Sequence, residues 1–140
     1  MHKTINLGHL EAQRAIQVIQ EELERQGKAA VIAVTDSHGE LIALLRLDGS
    51  PLPPILNAMN KAWTAAREGA PTRNLGQASR DPEEGFDMAY FGDPRYIGWG
   101  GGLPVVVDDQ VVGAVGVSGL PESEDMQLAE LGVAAILETI

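Results

Sequence analysis

The sequence lacks cysteine and contains few basic and few aromatic residues. The first two shortages exclude several kinds of site and partner. Without cysteine, a disulfide framework, a thiolate metal site and a cysteine nucleophile are excluded. Only 10 Lys and Arg face 20 Asp and Glu, which gives a formal net charge of −10. Because nucleic-acid binding rests mostly on neutralising phosphates with Lys and Arg, we expect no nucleic-acid partner.

Long apolar runs are also missing. No stretch approaches the ~20 apolar residues that a membrane-spanning helix needs, so we expect no membrane partner. The first six residues lack the apolar segment of a secretory signal, which makes a cytoplasmic location the expectation. With 140 residues, 44% of them hydrophobic, residues 1–140 are predicted to form one domain with a sizeable core.

Hydrophobic periodicity predicts the element order α-β-β-α-(loop)-β-β-α. Helices are predicted over residues 6–26, 55–68 and 122–138, and hairpins from residues 29–34 with 40–46 and 103–107 with 111–118. Asn6 is the predicted N-cap of the first helix and Gly27 its C-cap, and a short helical turn is expected from Thr72 to Leu75. Hairpins interleaved with helices favour an α+β domain built on an antiparallel sheet.

The second hairpin is the feature around which the chain is predicted to be organised. Asp109 is one of the few non-glycine residue types that accept the left-handed conformation of a tight hairpin turn. Gly113, Gly116 and Gly119 carry no side chain, so a helix, another backbone or a ligand can approach the returning strand closely.

Residues 77–102 form a long segment without sustained periodicity, rich in glycine and proline. Five of the six aromatic residues of the chain lie in it: Phe86, Tyr90, Phe91, Tyr96 and Trp99. One interpretation is that these rings close the end of the core or pack against a neighbouring subunit. The other is that they wall a flat, apolar ligand site.

Polar residues near the predicted helix and strand ends are the candidates for chemistry. Arg46 and Asp48 are expected to form a structural ion pair, or else Arg46 or Lys61 neutralises a substrate carboxylate or a cofactor propionate. The backbone after Ser118 leads into the last helix, whose N-terminus could attract an anion. The acidic first turn of that helix, which includes Asp125, favours a capping role instead.

No metal or dinucleotide site is predicted. His2, His9 and His38 share no metal-ligand spacing, although His9 is retained as a candidate axial ligand to haem. The glycines at 98–102 precede a predicted strand rather than a helix and miss the G-x-G-x-x-G spacing, so a Rossmann site is rejected.

Several segments together resemble the GlcG/HbpS family, also called the haem-degrading domain family, over nearly the whole chain. They are the Gly-Gly-Leu-Pro-Val-Val-Val run 101–107, the Val-Gly-Ala-Val-Gly-Val-Ser-Gly run 112–119 followed by Asp125 and Ala129, residues 46–50 and Lys61-Ala62. The resemblance implies a profilin-like α+β domain with an antiparallel sheet of about five strands flanked by helices. It also implies a homo-oligomer, and haem is the implied candidate cofactor because some relatives bind it.

Two functional hypotheses follow, beside the third possibility of an oligomeric scaffold. The first is a binding domain for haem, another tetrapyrrole or a flat organic ligand. Its candidate binding residues are His9, Tyr90, Tyr96, Trp99, Gly101, Gly102 and Ser118. The second is a cofactor-independent enzyme that performs lyase-type or isomerase-type acid–base chemistry on a small, aromatic or other, carboxylate metabolite. Its candidate catalytic residues are Arg46, Asp48, Lys61 and Asp125, with Glu83 and Glu84 as further proton carriers.

Overall fold

The computed structural model describes residues 1–140 and contains one antiparallel sheet of four strands. The strands are β1 (Val31–Asp36), β2 (Leu41–Arg46), β3 (Gly102–Val107) and β4 (Gln110–Ser118), in the spatial order β2-β1-β4-β3. β1 is central, and its first five residues are buried, because helices cover both faces of the sheet. This agrees with its nearly continuous apolar sequence.

Four helices form the two outer layers of the fold. They are α1 (His9–Gln26), α2 (Pro54–Glu68), α3 (Thr72–Ser79) and α4 (Glu122–Leu137). α1 and α4 pack on each other and on one face of the sheet, while α2 packs on the other face. Residues 80–101 join α3 to β3 as a loop that contains one 3₁₀ turn, Met88–Phe91. The predicted α+β class is confirmed and the element order agrees roughly; the short helical turn expected from Thr72 to Leu75 is the start of α3, which continues to Ser79.

The two faces of the sheet have cores of different character. The face under α1 and α4 is built from large aliphatic side chains, including Ile19, Leu23, Ile32 and Ile136. The face under α2 is built mostly from alanines of that helix packed on β1 and β4. Gly116 makes this close approach possible, because a β-carbon there would overlap the carbonyl oxygen of Ala58 in α2.

The expected number of about five strands is wrong, since the sheet has four. That number came with the family resemblance, whereas the apolar pattern of the chain provides only two hairpins. The intervening segment is interrupted by Pro82, Gly85, Gly92 and Pro94, and it forms a loop with a 3₁₀ turn instead of a strand. β2 and β3 are consequently the two edges of the sheet.

The predicted end of the first helix and the predicted hairpin turn are confirmed, but the predicted start of that helix is displaced. α1 begins at His9 with Gly8 as its N-cap, while the side chain of Asn6 accepts a hydrogen bond from Ser37 N at 2.9 Å. Gly27 ends α1 in the left-handed conformation, as predicted, with φ of 68°. Asp109 also has the predicted positive φ, 61°, and Asp108 before it has φ of 49°. Both residues at the centre of the hairpin turn are therefore left-handed.

Candidate functional site

A buried ion pair lies where α2, β4 and α4 meet. Lys61 of α2 places its Nζ 3.1 Å from Asp125 Oδ2 of α4 and 2.9 Å from the carbonyl oxygen of Val117 in β4. Both charged side chains are 3% exposed. Asp125 Oδ1 also accepts a hydrogen bond from Leu120 N at 3.2 Å. The pair thus connects the helix layers on opposite faces of the sheet at the end of β4.

Glycines at the start of β3 leave the room that the ion pair occupies. At Gly101, which has φ of +124°, a β-carbon would lie 2.5 Å from Val117 O and 2.9 Å from Lys61 Nζ. At Gly102 a β-carbon would overlap the backbone carbonyl of Lys61 and lie 2.6 Å from Cγ2 of Thr72. Because contacts this short are sterically excluded, glycine at both positions is what allows the lysine amine to sit beside β3.

Burial moves the pKa values of the two groups toward each other. The pKa of Lys61 is lowered because burial penalises its ammonium form, and the nearby charges of Asp125 and Glu122 oppose this shift only in part. Burial likewise raises the pKa of Asp125, against the opposing effect of the Lys61 charge and the Leu120 hydrogen bond. Proton transfer between the amine and the carboxyl group is therefore easier than between the same groups in water.

An open cleft of about 450 Å³ lies above the ion pair. Its wall is formed by the residues Pro51, Pro53, Pro54, Asn57, Lys61, Trp99, Gly100, Ser118, Gly119, Leu120, Glu122 and Asp125. Trp99 remains 60% exposed, so most of its indole surface is free for contact with a ligand. Glu122 is held at the cleft by accepting a hydrogen bond from Gly100 N at 2.9 Å. The cleft therefore combines an aromatic surface, proline rings and a buried pair of charges.

Two buried threonines hold the loop 80–101 against the helices. Thr72 donates a hydrogen bond to Trp99 O at 2.7 Å and accepts one from Gly102 N at 3.0 Å. Thr64 of α2 donates to Arg95 O at 3.1 Å and accepts from Ile97 N at 3.2 Å. These bonds fix the backbone on both sides of Trp99, which explains how a long loop can present an indole at a defined place.

The other rings of the loop form a stack that is separate from the cleft. Tyr96 contacts Trp63 of α2 edge-on, with ring centroids 4.9 Å apart, and stacks on Phe91 at 4.1 Å. Phe86 meets Phe91 edge-on at 5.8 Å. Tyr90 points outward and is 84% exposed. The expected aromatic wall is therefore divided: Trp99 lies at the cleft, and the other three rings form a row of which Tyr96 contacts Trp63.

Of the residues proposed from the sequence, six lie in or beside this site. Lys61 and Asp125 form its centre, Trp99 and Ser118 line the cleft, and Gly101 lies where a β-carbon would meet both members of the ion pair. Gly102 follows directly in β3 and packs against the backbone of Lys61.

The remaining candidates lie elsewhere. Arg46 pairs with Val31, which pairs in turn with Ser118, so Arg46 is two strand spacings, or about 10 Å, from Ser118 across the sheet. Arg46 and Asp48 are exposed, and the ion pair expected between them is absent. Glu83 and Glu84 are exposed on the loop 80–101, outside the cleft.

His9 is also distant from the cleft. It begins α1, two residues after Leu7, whose backbone N donates to Val112 O at 2.8 Å. Val112 and Val117 are separated by about 17 Å along β4, at ~3.3 Å per residue. Tyr96 belongs to the ring stack of the loop, and Tyr90 is exposed on the same loop; neither tyrosine lines the cleft.

Sequence reasoning missed three parts of the site. Pro51, Pro53, Pro54 and Glu122 line the cleft but were not among the candidate residues. Thr72 was expected to cap a helical turn, yet its hydroxyl holds the loop. No local pattern distinguishes these roles, because each depends on contacts between segments far apart in sequence.

No group of three or more His, Asp or Glu side chains is arranged to hold a metal ion. None of the helices combines the length and the apolar character required to span a membrane.

Comparison with known proteins identifies relatives over most of the chain. Residues 7–134 match the family model described as haem degrading protein HbpS-like. The Escherichia coli protein GlcG is 36% identical over 99 residues, which are 71% of this chain and 71% of GlcG. The crystal structure of protein ORFY of Klebsiella pneumoniae has a TM-score of 0.90 at 27% identity, with 98% of this chain and 94% of that one covered.

A haem complex is among the solved structures with the same fold. The crystal structure described as a PduOC:haem complex has a TM-score of 0.86 and covers 94% of this chain and 95% of that one, at 23% identity. At that level of identity the likeness concerns the fold. What these proteins share with this chain is therefore the sheet-and-helix framework around the cleft.

Proposed function

Because the chain belongs to the HbpS-like family, we propose that it binds a small, flat organic ligand in the cleft, with haem or another tetrapyrrole as the first candidate. The single observation that carries this proposal is the free indole face of Trp99, 60% exposed, beside an open cleft of about 450 Å³. An exposed indole next to proline rings offers a flat apolar surface of the kind that ligand sites use. The haem complex of a protein with the same fold supports the choice of ligand.

The residues of the cleft fit the ring of a tetrapyrrole better than its metal. Pro53, Leu120 and Trp99 provide apolar contact surface for a macrocycle. All three histidines lie outside the cleft, and the amine of Lys61 is already engaged by Asp125 and Val117. We therefore propose that the ring is held by stacking and apolar contact, and we assign no axial ligand in the cleft.

A titration with haemin, monitored by visible absorption, tests this proposal. We expect saturable binding with a Soret shift, and about tenfold weaker binding for Trp99→Ala, since one stacked aromatic contact contributes roughly 1.4 kcal/mol. Metal-free protoporphyrin should bind with similar affinity, because the proposed contacts involve the ring.

The matched control is His9→Ala, which alters the only histidine proposed as an axial ligand and leaves the cleft intact. Binding unchanged in His9→Ala and weakened in Trp99→Ala supports the cleft. Binding that is lost in His9→Ala and unchanged in Trp99→Ala would contradict the cleft and favour iron ligation near the start of α1.

We also propose a second candidate function, acid–base catalysis on a small metabolite, which the Lys61–Asp125 pair favours. The pair combines an amine with lowered pKa and a carboxyl with raised pKa 3.1 Å apart at the bottom of an open cleft. Such opposed shifts are typical of sites that transfer protons. Incubation with small carboxylic acids and with neutral ketones in heavy water, followed by proton NMR, would detect exchange at carbon; Asp125→Asn should abolish it and Trp63→Phe should not.

We further infer that the chain forms a homo-oligomer, as the family resemblance implies. Exposed apolar side chains on the loop and near the start of α2, among them Tyr90, Leu52 and Leu56, support an interaction between copies. Size-exclusion chromatography tests this inference. An oligomer that Tyr90→Ser converts to a monomer would support it, and a monomeric wild-type protein would contradict it.

A further inference from the structure

We propose that Lys61 is a carbonyl-reactive lysine, whose amine forms an imine with a small neutral aldehyde or ketone that enters the cleft. Asp125 would carry the protons of this reaction. This inference rests on the second candidate function, which makes the cleft a site of chemistry, and it names the class of substrate and the reacting atom. It is independent of whether haem binds.

The first argument is that the ion pair is poorly explained by stability alone. A lysine and an aspartate with 3% exposure have both lost their hydration, and replacing such a pair with apolar side chains is often neutral or stabilising. The fold also gives up side chains at Gly101 and Gly102 to make room for the lysine. A costly pair placed at the floor of a cleft is typical of a reactive site.

The second argument is the surroundings of the amine. Nζ contacts one proton-accepting carboxylate, Asp125, and one backbone carbonyl, Val117 O, which together orient it. Burial lowers the pKa of Lys61, so a larger fraction of the amine is unprotonated and nucleophilic than for a lysine in water. No other lysine lies in the cleft.

The reaction that these groups support is a balanced condensation. The lone pair of the neutral Lys61 amine attacks the carbonyl carbon, and the carbonyl oxygen takes a proton from the carboxyl of Asp125 to give a carbinolamine. Asp125 then takes one of the two protons on the carbinolamine nitrogen and delivers it to the hydroxyl, which leaves as water, and it takes the second nitrogen proton as the imine forms. Amine and carbonyl compound thus yield imine and water, and no oxidant or reductant is required.

The cleft also indicates the kind of carbonyl compound. Once the lysine has reacted, the cleft retains two acidic side chains, Asp125 and Glu122, and no free cation. An anionic keto acid would therefore be repelled, whereas a neutral compound would not. The indole of Trp99 and the proline rings favour an apolar or aromatic group on the carbonyl carbon.

The chain is well suited to a trapping experiment, because it contains only three lysines: Lys3, Lys28 and Lys61. The folded protein is incubated at neutral pH with benzaldehyde and cyanoborohydride, which reduces an imine to a stable benzylamine, and peptides are analysed by mass spectrometry. Lys3 is the internal reference, since it is exposed and outside every ion pair. We expect Lys61 to be labelled several-fold faster than Lys3, because burial lowers its pKa and leaves more of its amine neutral, and because Asp125 lies 3.1 Å away to carry the protons.

Variants separate a reactive lysine from a merely accessible one. Asp125→Asn, which retains the size of the side chain, should slow labelling of Lys61 about tenfold while labelling of Lys3 is unchanged. Lys28→Arg should leave the Lys61 rate unchanged. Labelling of Lys61 no faster than that of Lys3 in the folded wild-type protein overturns the proposal, and this result needs no variant to fold. Haemin binding measured on the same samples reports on the first proposed function separately.

Discussion

Removing one member of the Lys61–Asp125 pair should destabilise the protein more than removing both. Lys61→Met keeps most of the aliphatic length of the side chain but leaves the Asp125 carboxylate buried, with only Leu120 N as a partner. Asp125→Leu leaves the Lys61 ammonium buried, with only the carbonyl of Val117 as a partner. The double variant leaves neither charge in the interior.

The expected magnitudes follow from the burial of the pair. Loss of one partner of a buried ion pair costs about 3–5 kcal/mol, and with both side chains 3% exposed no correction for solvent screening is needed. Burial raises the pKa of Asp125, and loss of the Lys61 charge removes the main opposing effect, so proton uptake offsets part of the cost of Lys61→Met. The free energy of unfolding of the double variant should be between equal to that of the wild type and about 1–4 kcal/mol higher.

The two pKa shifts add a pH signature to this comparison. The folded protein binds the Asp125 proton more tightly than the unfolded chain does, because the pKa of Asp125 is raised. Its protonation therefore contributes fully to the free energy of unfolding below pH 3.8, and this contribution is lost as pH rises through the raised pKa. The Lys61 pKa is depressed below 10.5, so stability increases as pH rises through the window between its folded value and 10.5. The stability of the wild type relative to the double variant should therefore be lowest near neutral pH and increase toward both extremes.

Urea denaturation measured by tryptophan fluorescence provides the assay. Trp63 is 4% exposed and reports unfolding, and Trp99→Phe in every variant removes the signal of the exposed indole. The reasoning is refuted if the double variant is less stable than both single variants. It is also refuted if the advantage in stability of the wild type over the double variant is largest, rather than smallest, at neutral pH. Either result would mean that attraction between the charges exceeds the cost of burying them.

Three other predictions concern the surroundings of the site. Gly116→Ala should destabilise the protein by about 1–3 kcal/mol in the same assay, because its β-carbon would overlap the backbone of Ala58; an unchanged midpoint would show that α2 moves away freely. Thr72→Val should cost about 1–3 kcal/mol by leaving Gly102 N unpaired, and should raise hydrogen exchange in the loop 80–101, whereas unchanged exchange would contradict the role of this threonine. The Arg95 guanidinium holds the pKa of Asp93 at about 2, so an NMR titration of Asp93 should have its midpoint there, and Arg95→Ala should return it toward 3.8.

The architecture could be predicted from the sequence because it depends on local signals. Apolar periodicity located both hairpins and three helices, and Gly27 and Asp109 marked a helix end and a turn through conformations that few residues adopt. The strand number was wrong because it was taken from the family resemblance, although the residues themselves contained four strands. Where a local pattern and an analogy disagreed, the local pattern was correct.

The site was only partly predictable because it is assembled from segments far apart in the chain. Lys61 and Asp125 were each suspected, but their contact joins residues 64 positions apart, and no spacing in the sequence encodes it. Arg46 was expected to matter because it ends a strand near Asp48, yet both residues are exposed. Pairing of charges across a fold depends on burial, which one sequence does not report.

The stability and reactivity of the ion pair can be judged against each other. If the double variant Lys61→Met/Asp125→Leu is as stable as the wild type, the fold does not require the pair, and its position at the cleft must be explained by what it does there. Selective labelling of Lys61 in the wild type would then supply that explanation. If instead the pair proves strongly stabilising and Lys61 is inert to aldehydes, its role is to fasten α2 to α4, and a ligand of the cleft must be recognised by Trp99 and the surrounding backbone.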